Sequence, residues 1–156
     1  MKSKDTISAP RLWLVLARAH GAIVDYIEQA IAEQGLGLSD FMVLEVLLHK
    51  GPLTISAIGE KVLLASASMT SAIDRLEKRG MVVRRSCDSD RRIRLVELTP
   101  VGRRYISKTF AEHEKDLELI TEGLSGEERR TLYDGLKQIG LAARAATLRE
   151  KKKKTA

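Results

Sequence analysis

Two adjacent arginines at the end of a run of small polar residues are the sharpest chemical feature of the chain. Cys87-Asp88-Ser89-Asp90 is a turn-forming run; Arg91 and Arg92 follow it, and Arg94 stands just inside the next segment. A guanidinium is a planar, permanently charged array of donors, and its natural counterparts are phosphates and carboxylates. A second polar group lies upstream, where Ser66, Ser68, Thr70 and Ser71 are followed by Arg75, and Arg84 lies between the two groups. Short hydroxyl side chains hydrogen-bond to base edges and phosphates, and they leave a helix slim enough to reach the floor of a major groove. Hydroxyls and guanidiniums in this number grip a polyanion; they do not by themselves break a bond.

The charge is placed to match. The chain of 156 residues carries a net charge of +6. Residues 74–104 hold ten Lys or Arg against five Asp or Glu, and Lys151 to Lys154 add four more positive charges, so the remainder is slightly acidic. A basic block on an otherwise acidic chain is the footprint of nucleic-acid binding, although a solvated charged face has the same composition. Double-stranded DNA is the expected partner. The length fits one compact domain, and 44% hydrophobic residues supply a core. One cysteine excludes an intramolecular disulfide and suits a reducing, cytoplasmic location. No apolar run approaches the roughly 20 residues that span a bilayer, and no membrane role is expected.

The elements that must position these groups are mostly helices. Residues 10–34 open on Pro10 and repeat Trp13, Leu16, Ile23, Ile27 and Ile31 near helical spacing before Gly35. Ser39 is placed to cap the next helix, whose Phe41, Leu44, Leu47 and Leu48 form an apolar face ending at Gly51-Pro52. Thr54 caps a short helix carrying Ile55, Ile58 and Val62. Ser66 caps a second, with Met69, Ile73 and Leu76 inward and Gly80 as its terminator. Short helix, tight turn and second helix make a helix-turn-helix over 54–79. Two strands, Met81–Arg85 and Ile93–Leu98, then form a basic hairpin, the wing, over 81–99. Thr99-Pro100 starts a long helix to about residue 122. Ser125 and Glu128 sit at capping-box spacing ahead of a last helix with a seam of Leu132, Leu136, Ile139, Ala143 and Ala146.

The expected fold is therefore mainly α with a small β-wing: a winged helix-turn-helix domain at 38–99 and helical segments at 10–34 and 100–147. Four consecutive lysines repel one another, so 148–156 is expected to be a basic disordered tail. "SMTSAIDRLEKRGMVVRR" followed by "DSDRRIRLVELTPVGRR" resembles the MarR (multiple-antibiotic-resistance regulator) family. The match in element order runs over residues 10–147. Its most specific parts are the Asp-x-Arg wing, Asp90-Arg91-Arg92, and the Leu-Thr-x-x-Gly that follows, Leu98 to Gly102. The wing turn is one residue shorter than the Asp-Pro-x-Asp-Arg-Arg common in the family, and it lacks the proline.

The resemblance implies a homodimeric regulator, with 10–34 and 100–147 as the dimerisation region. It implies a wing arginine, Arg92, inserted in the minor groove and oriented by Asp90. It also implies repression of a pseudo-palindromic operator, relieved by a small phenolic or lipophilic effector near Trp13, Ala17 and His20. The DNA-binding set is then Ser66, Ser68, Thr70, Ser71, Arg75, Arg84, Asp90, Arg91, Arg92 and Arg94.

Other classes fare worse. His20, His49 and His113 are scattered, with no triad, metal-ligand spacing or phosphate-binding glycine loop, so no enzyme, metal or cofactor is expected. Glu112-His113-Glu114 reads as a solvated helix face in preference to a metal site. Cys87 lies beside basic residues that favour a thiolate, but the peroxide-sensing members of the family carry their cysteine near the N-terminus, where this chain has none. A winged-helix module that no longer reads DNA would carry a neutral or acidic wing, the reverse of this one. An architectural DNA binder would carry broad basic charge and no sharp operator.

Overall fold

The computed structural model of the chain describes residues 7–62, 66–87, 90 and 92–155; for Ser66, Ala67, Ser68, Lys154 and Thr155 it describes the backbone alone. In order come α1 (Ala9–Glu33), α2 (Leu38–Lys50), α3 (Ile55–Val62), α4 (Ser66–Lys78), β1 (Val82–Ser86), β2 (Arg94–Leu98), α5 (Pro100–Thr121) and α6 (Gly126–Thr155). The mainly helical fold with a two-stranded wing is as the sequence predicts. The chain divides into two compact units, one ending at Asp116 and one beginning at Leu117.

In the first unit the core forms where α2, α3 and α4 converge on the hairpin. Phe41, Val43, Leu44 and Leu47 of α2 pack with Ile58 and Val62 of α3, with Met69, Ala72, Ile73 and Leu76 of α4, and with Val96 of β2, all buried. The spacing Met69-Ala72-Ile73-Leu76 is the 3-1-3 repeat of one helix face, so burying it turns Thr70, Ser71 and Asp74 outward. Ile31 and Ile106 bring α1 and α5 to the same core.

The helix ends explain themselves locally, with one exception. Thr54 Oγ1 accepts the Ala57 N–H at 3.2 Å, the expected cap of α3. Gly80 has φ +67°, and the Gly80 and Met81 N–H groups return to Glu77 O and Leu76 O at 2.9 Å each. That pair of bonds is the glycine-terminated end predicted for α4, and only glycine enters that φ without strain. The exception is Ser39. The N-cap of α2 is Gly37, two residues earlier, and no side chain caps it. Ser39 Oγ instead accepts from Arg75 Nη2 at 3.2 Å, a partner 36 residues away that local sequence does not reveal.

The hairpin pairs Val82 with Leu98, Arg84 with Val96 and Ser86 with Arg94, antiparallel. Leu53 adds a single-residue third rung, exchanging both backbone bonds with Val96 at 3.1 and 2.8 Å. At the far side of the hairpin, Thr99 and Gly102 fix α5 to the start of β1. Thr99 Oγ1 donates to Gly80 O at 2.7 Å and accepts the Gly102 N–H at 3.0 Å, while the Thr99 N–H bonds to Met81 O at 3.0 Å. A Cβ on Gly102 would stand 1.9 Å from Met81 O, so this approach requires glycine.

In the second unit, Ser125 and Glu128 form the expected capping box: the Ser125 N–H donates to Glu128 Oε2 at 2.8 Å and the Glu128 N–H to Ser125 Oγ at 3.3 Å. These bonds hold the Glu128 carboxyl below the ordinary glutamate range, the Ser125 backbone bond first among the causes. Arg129 reaches back to Glu118 at 2.6 Å and to Thr121 O at 3.1 Å. The expectation of a disordered tail at 148–156 is corrected: α6 continues through Thr155. No Gly or Pro follows Gly140, lysine is a good helix former, and cations suit a helix C-terminus, so these local preferences outweigh the mutual repulsion.

Among the described residues, no helix is long and apolar enough to cross a membrane. Large apolar side chains nonetheless stand exposed, a few on α5 (Val101, Leu119 and Ile120) and most on two other helices. On α1 they are Leu12, Trp13, Leu14, Val15 and Ile23; on α6 they are Leu132, Tyr133, Leu136, Ile139, Leu141 and Leu148.

Candidate nucleic-acid interface

The outward face of α4 and the wing beside it make the candidate surface. Thr70 and Ser71 are exposed on α4, as the apolar repeat requires. The side chains of Ser66 and Ser68, and all of Arg91, lie outside the described residues. Lys78, which the sequence reading did not single out for DNA, is exposed in the last turn of the same helix, where an ammonium can meet a phosphate. Arg92 and Arg94 are exposed at and beside the hairpin turn. The turn is closed by the Cys87 N–H to Ile93 O at 2.9 Å and the Ile93 N–H to Asp90 O at 3.0 Å.

Asp90 sits two residues from Arg92, as the sequence predicts, but it acts on the backbone. Its Oδ1 accepts the Arg92 N–H at 2.9 Å. A carboxylate bonded two residues ahead is a local turn device, and it sets where the Arg92 side chain leaves the chain without touching the guanidinium.

Arg75 and Arg84, both expected on DNA, have their guanidiniums committed inside the protein. Arg75 binds the buried Asp40 of α2, Nη2 to Oδ1 at 2.6 Å and Nε to Oδ2 at 3.4 Å, and Ser39 besides. Asp40 is only 4% exposed, so its charge is answered by this arginine. The hydrogen bond to Asp40 raises the Arg75 pKa above its ordinary value. Arg84 bonds to Asp74 at 2.5 Å and to Glu77, both on α4, and its own N–H reaches Glu77 Oε1 at 3.2 Å. The Asp74 bond is the main reason its pKa is raised. Arg79 is similarly engaged: it donates to Gly35 O at 3.1 Å and lies 6.0 Å from the centre of the Tyr105 ring, whose hydroxyl donates to Gln34 O.

Helical periodicity marks Arg75 and Arg79 as outward-facing, and both are exposed, whereas strand alternation puts Arg84 on the face of the buried Val82 and Val96. Neither pattern can show that Asp40, Asp74, Glu77 and the Gly35 carbonyl stand opposite them. Among the described residues the outcome is a surface that presents Thr70, Ser71, Lys78, Arg92 and Arg94, framed by arginines that hold α4 in place.

The effector positions are less coherent. Trp13, Ala17 and His20 are all exposed along α1. A cavity of about 230 Å³ lies further along that helix, lined by Tyr26, Gln29, Ala30, Glu33 and Gln34 with Glu112 and Asp116 of α5, and it includes none of the three. The reading of Glu112-His113-Glu114 as a solvated face is corrected at its centre: His113 is buried, edge-on to Phe41 at 4.9 Å between ring centres. It continues the Ile106-Thr109-His113 face of α5, a helical repeat present in the sequence. Among the described residues no group of three or more His, Cys, Asp or Glu is placed to hold a metal ion.

Known proteins share this sequence pattern and fold. The MarR family profile matches residues 36–93, which contain α2, the helix-turn-helix and most of the wing. The HTH-type transcriptional regulator MhqR of Bacillus subtilis (strain 168) is 35% identical over 134 residues, 86% of this chain and 92% of the relative. Among solved structures, CouR from Rhodococcus jostii RHA1, bound to p-coumaroyl-CoA, is 25% identical with a TM-score of 0.74, covering 82% of this chain and 90% of that one. BpsR of Bordetella bronchiseptica, whose DNA binding is regulated by 6-hydroxynicotinic acid, is 24% identical with a TM-score of 0.73, covering 90% and 96%.

Proposed function

The chain belongs to the MarR family of transcriptional regulators, DNA-binding proteins and not enzymes, and on that footing we propose that it is a homodimeric repressor of a pseudo-palindromic operator. Each protomer sets α4 in a major groove, where Thr70 and Ser71, with Ser66 and Ser68, meet base edges and Lys78 meets a phosphate. Each wing enters the flanking minor groove with Arg92, backed by Arg91 and Arg94. Arg75, Arg84 and Asp90 serve this surface by holding its parts. The observation that carries the reading is the hydroxyl-bearing face of α4 turned outward beside exposed wing arginines.

Dimerisation is supported by the apolar side chains left open on α1 and α6. A stripe such as Leu132, Leu136 and Ile139 at helical spacing, standing in water, calls for a partner surface. One recognition helix covers only a few base pairs, so operator reading also favours two copies.

Release by a small phenolic or lipophilic effector is supported by the ligand-responsive neighbours, CouR and BpsR. Trp13, Ala17 and His20, uncovered in the single chain, are the positions where a second protomer would complete an effector seat.

The test is sedimentation of the protein alone and with a palindromic duplex. The expected result is a dimer free in solution, and two protomers per duplex. Leu136→Asp, which places a charge in the α6 seam, should give monomers with little operator affinity. A wild-type monomer, or a Leu136→Asp protein that binds the palindrome as tightly as wild type, would overturn the proposal.

A further inference from the structure

Arg84 stands on the first wing strand, yet among the described residues the hydrogen-bond partners of its side chain are on the recognition helix. Its guanidinium takes Asp74 with one nitrogen at 2.5 Å and Glu77 with another, while its backbone N–H binds the same Glu77 at 3.2 Å. The Arg84 side chain is only a quarter exposed, and Asp74 and Glu77 are one turn apart on α4. Three bonds thus join β1 to two successive turns of α4. Two carboxylates on a helix that must approach phosphate are also a repulsive arrangement, and Arg84 is what neutralises them.

We infer that Arg84, Asp74 and Glu77 form a brace that fixes the wing's angle to the recognition helix, so that Arg84 is a positioning residue for simultaneous reading of the major and minor grooves. Joining two contact elements rigidly makes the second contact intramolecular: once α4 is seated, the wing tip already stands at its groove. Without the brace, the two-stranded hairpin must be ordered after docking, and the conformational cost falls on the minor-groove contact alone. The inference rests on the two-groove reading proposed above.

The decisive variant adds positive charge. Asp74→Asn with Glu77→Gln removes two negative charges from the DNA-facing helix. If Arg84 is a phosphate contact burdened by its neighbours, freeing it should strengthen binding to every duplex and leave flank preference intact. If the three residues are a brace, the variant should bind random DNA more tightly yet lose preference for A·T-rich over G·C-rich flanks, because a wing held loosely no longer exploits the narrow groove. The wild-type preference is expected to be roughly fivefold or more, falling below about twofold in the variant. Arg84→Gln should lose the same preference.

A readout without DNA separates this from the two-groove reading itself. Spin labels at Lys78→Cys and Arg92→Cys, in a Cys87→Ser background, report the spread of helix-to-wing distances by pulsed electron resonance. The brace predicts a narrow distribution that broadens on adding Asp74→Asn and Glu77→Gln. An unchanged distribution, or a wild-type flank preference that the variant keeps, overturns the brace. A wild-type protein indifferent to its flanks, with a distribution that still broadens, overturns the two-groove reading and leaves the brace standing.

Discussion

Gly102→Ala is the sharpest test of how the wing is anchored to the rest of the fold. The added methyl would lie 1.9 Å from Met81 O, 2.8 Å from Met81 C and 3.0 Å from Met81 Cα. All three are backbone atoms, so no side chain can swing aside, and the first turn of α5 must lift off β1. Overpacking of this kind costs about 1–3 kcal/mol. Lifting also stretches the Thr99 N–H bond to Met81 O and the Thr99 Oγ1 bond to Gly80 O, each worth about 0.5–1.5 kcal/mol net. Alanine's better helix propensity returns about 1 kcal/mol. The balance is a loss of about 1–5 kcal/mol, against a total stability on the order of 5–15 kcal/mol. For a chain of this size that lowers the melting temperature by roughly 2–20 °C. The assay is thermal unfolding by circular dichroism at matched protomer concentration, since dimerisation makes the midpoint concentration-dependent. Gly140→Ala, where nothing lies within 4 Å of the added Cβ, is the control and should be neutral or slightly stabilising. A Gly102→Ala protein that melts with wild type or above it would refute the reasoning.

Asp90 separates two ways of aiming an arginine. Asparagine retains an acceptor for the Arg92 N–H, so Asp90→Asn should keep most operator affinity, while Asp90→Ala should lose about 0.5–1.5 kcal/mol through the freed turn; equal losses in titrated binding would show that the charge acts on the guanidinium instead. Glu128 predicts a pH response of α6. Its pKa is depressed in the folded protein, so its contribution is fully present above the unfolded glutamate pKa and is lost as pH falls through the folded value. Carbon-detected titration of Glu128 should place it below the ordinary glutamate range, and Glu128→Gln should remove the acid-side fraying of the α6 N-terminus seen by amide exchange; a normal titration, or fraying unchanged in the variant, would contradict the capping assignment.

Much of this was legible in the sequence because its causes are local. The 3-1-3 repeat of Met69, Ala72, Ile73 and Leu76 needs only helical geometry to identify the inner face of α4, and the outer face follows from it. Thr54, Gly80 and the Ser125–Glu128 pair act within a turn of themselves, and Thr99 does so in capping Gly102, though its bonds to Gly80 O and Met81 O are not local. What stayed hidden was decided across the chain. Ser39 is a plausible cap until Arg75 arrives from α4. Arg75 and Arg84 carry no local sign of Asp40 and the Asp74–Glu77 pair that the fold sets against them. Gly102 reads as a family signature, and only the approach of β1 shows that it is a steric requirement. The helix through the lysine tail has local causes, since helix propensity and the dipole outweigh the repulsion between its charges.

The most direct measurement of the central claim is selection of DNA from a random pool by the purified protein. A two-fold dimer presenting two copies of α4 should recover a pseudo-palindrome with half-site centres about 10 bp apart, roughly 34–36 Å along the duplex. A·T-rich positions should flank each half-site where the wings enter. Recovery of direct repeats, of a lone half-site, or of no sequence preference at all, as an architectural binder would give, would contradict it.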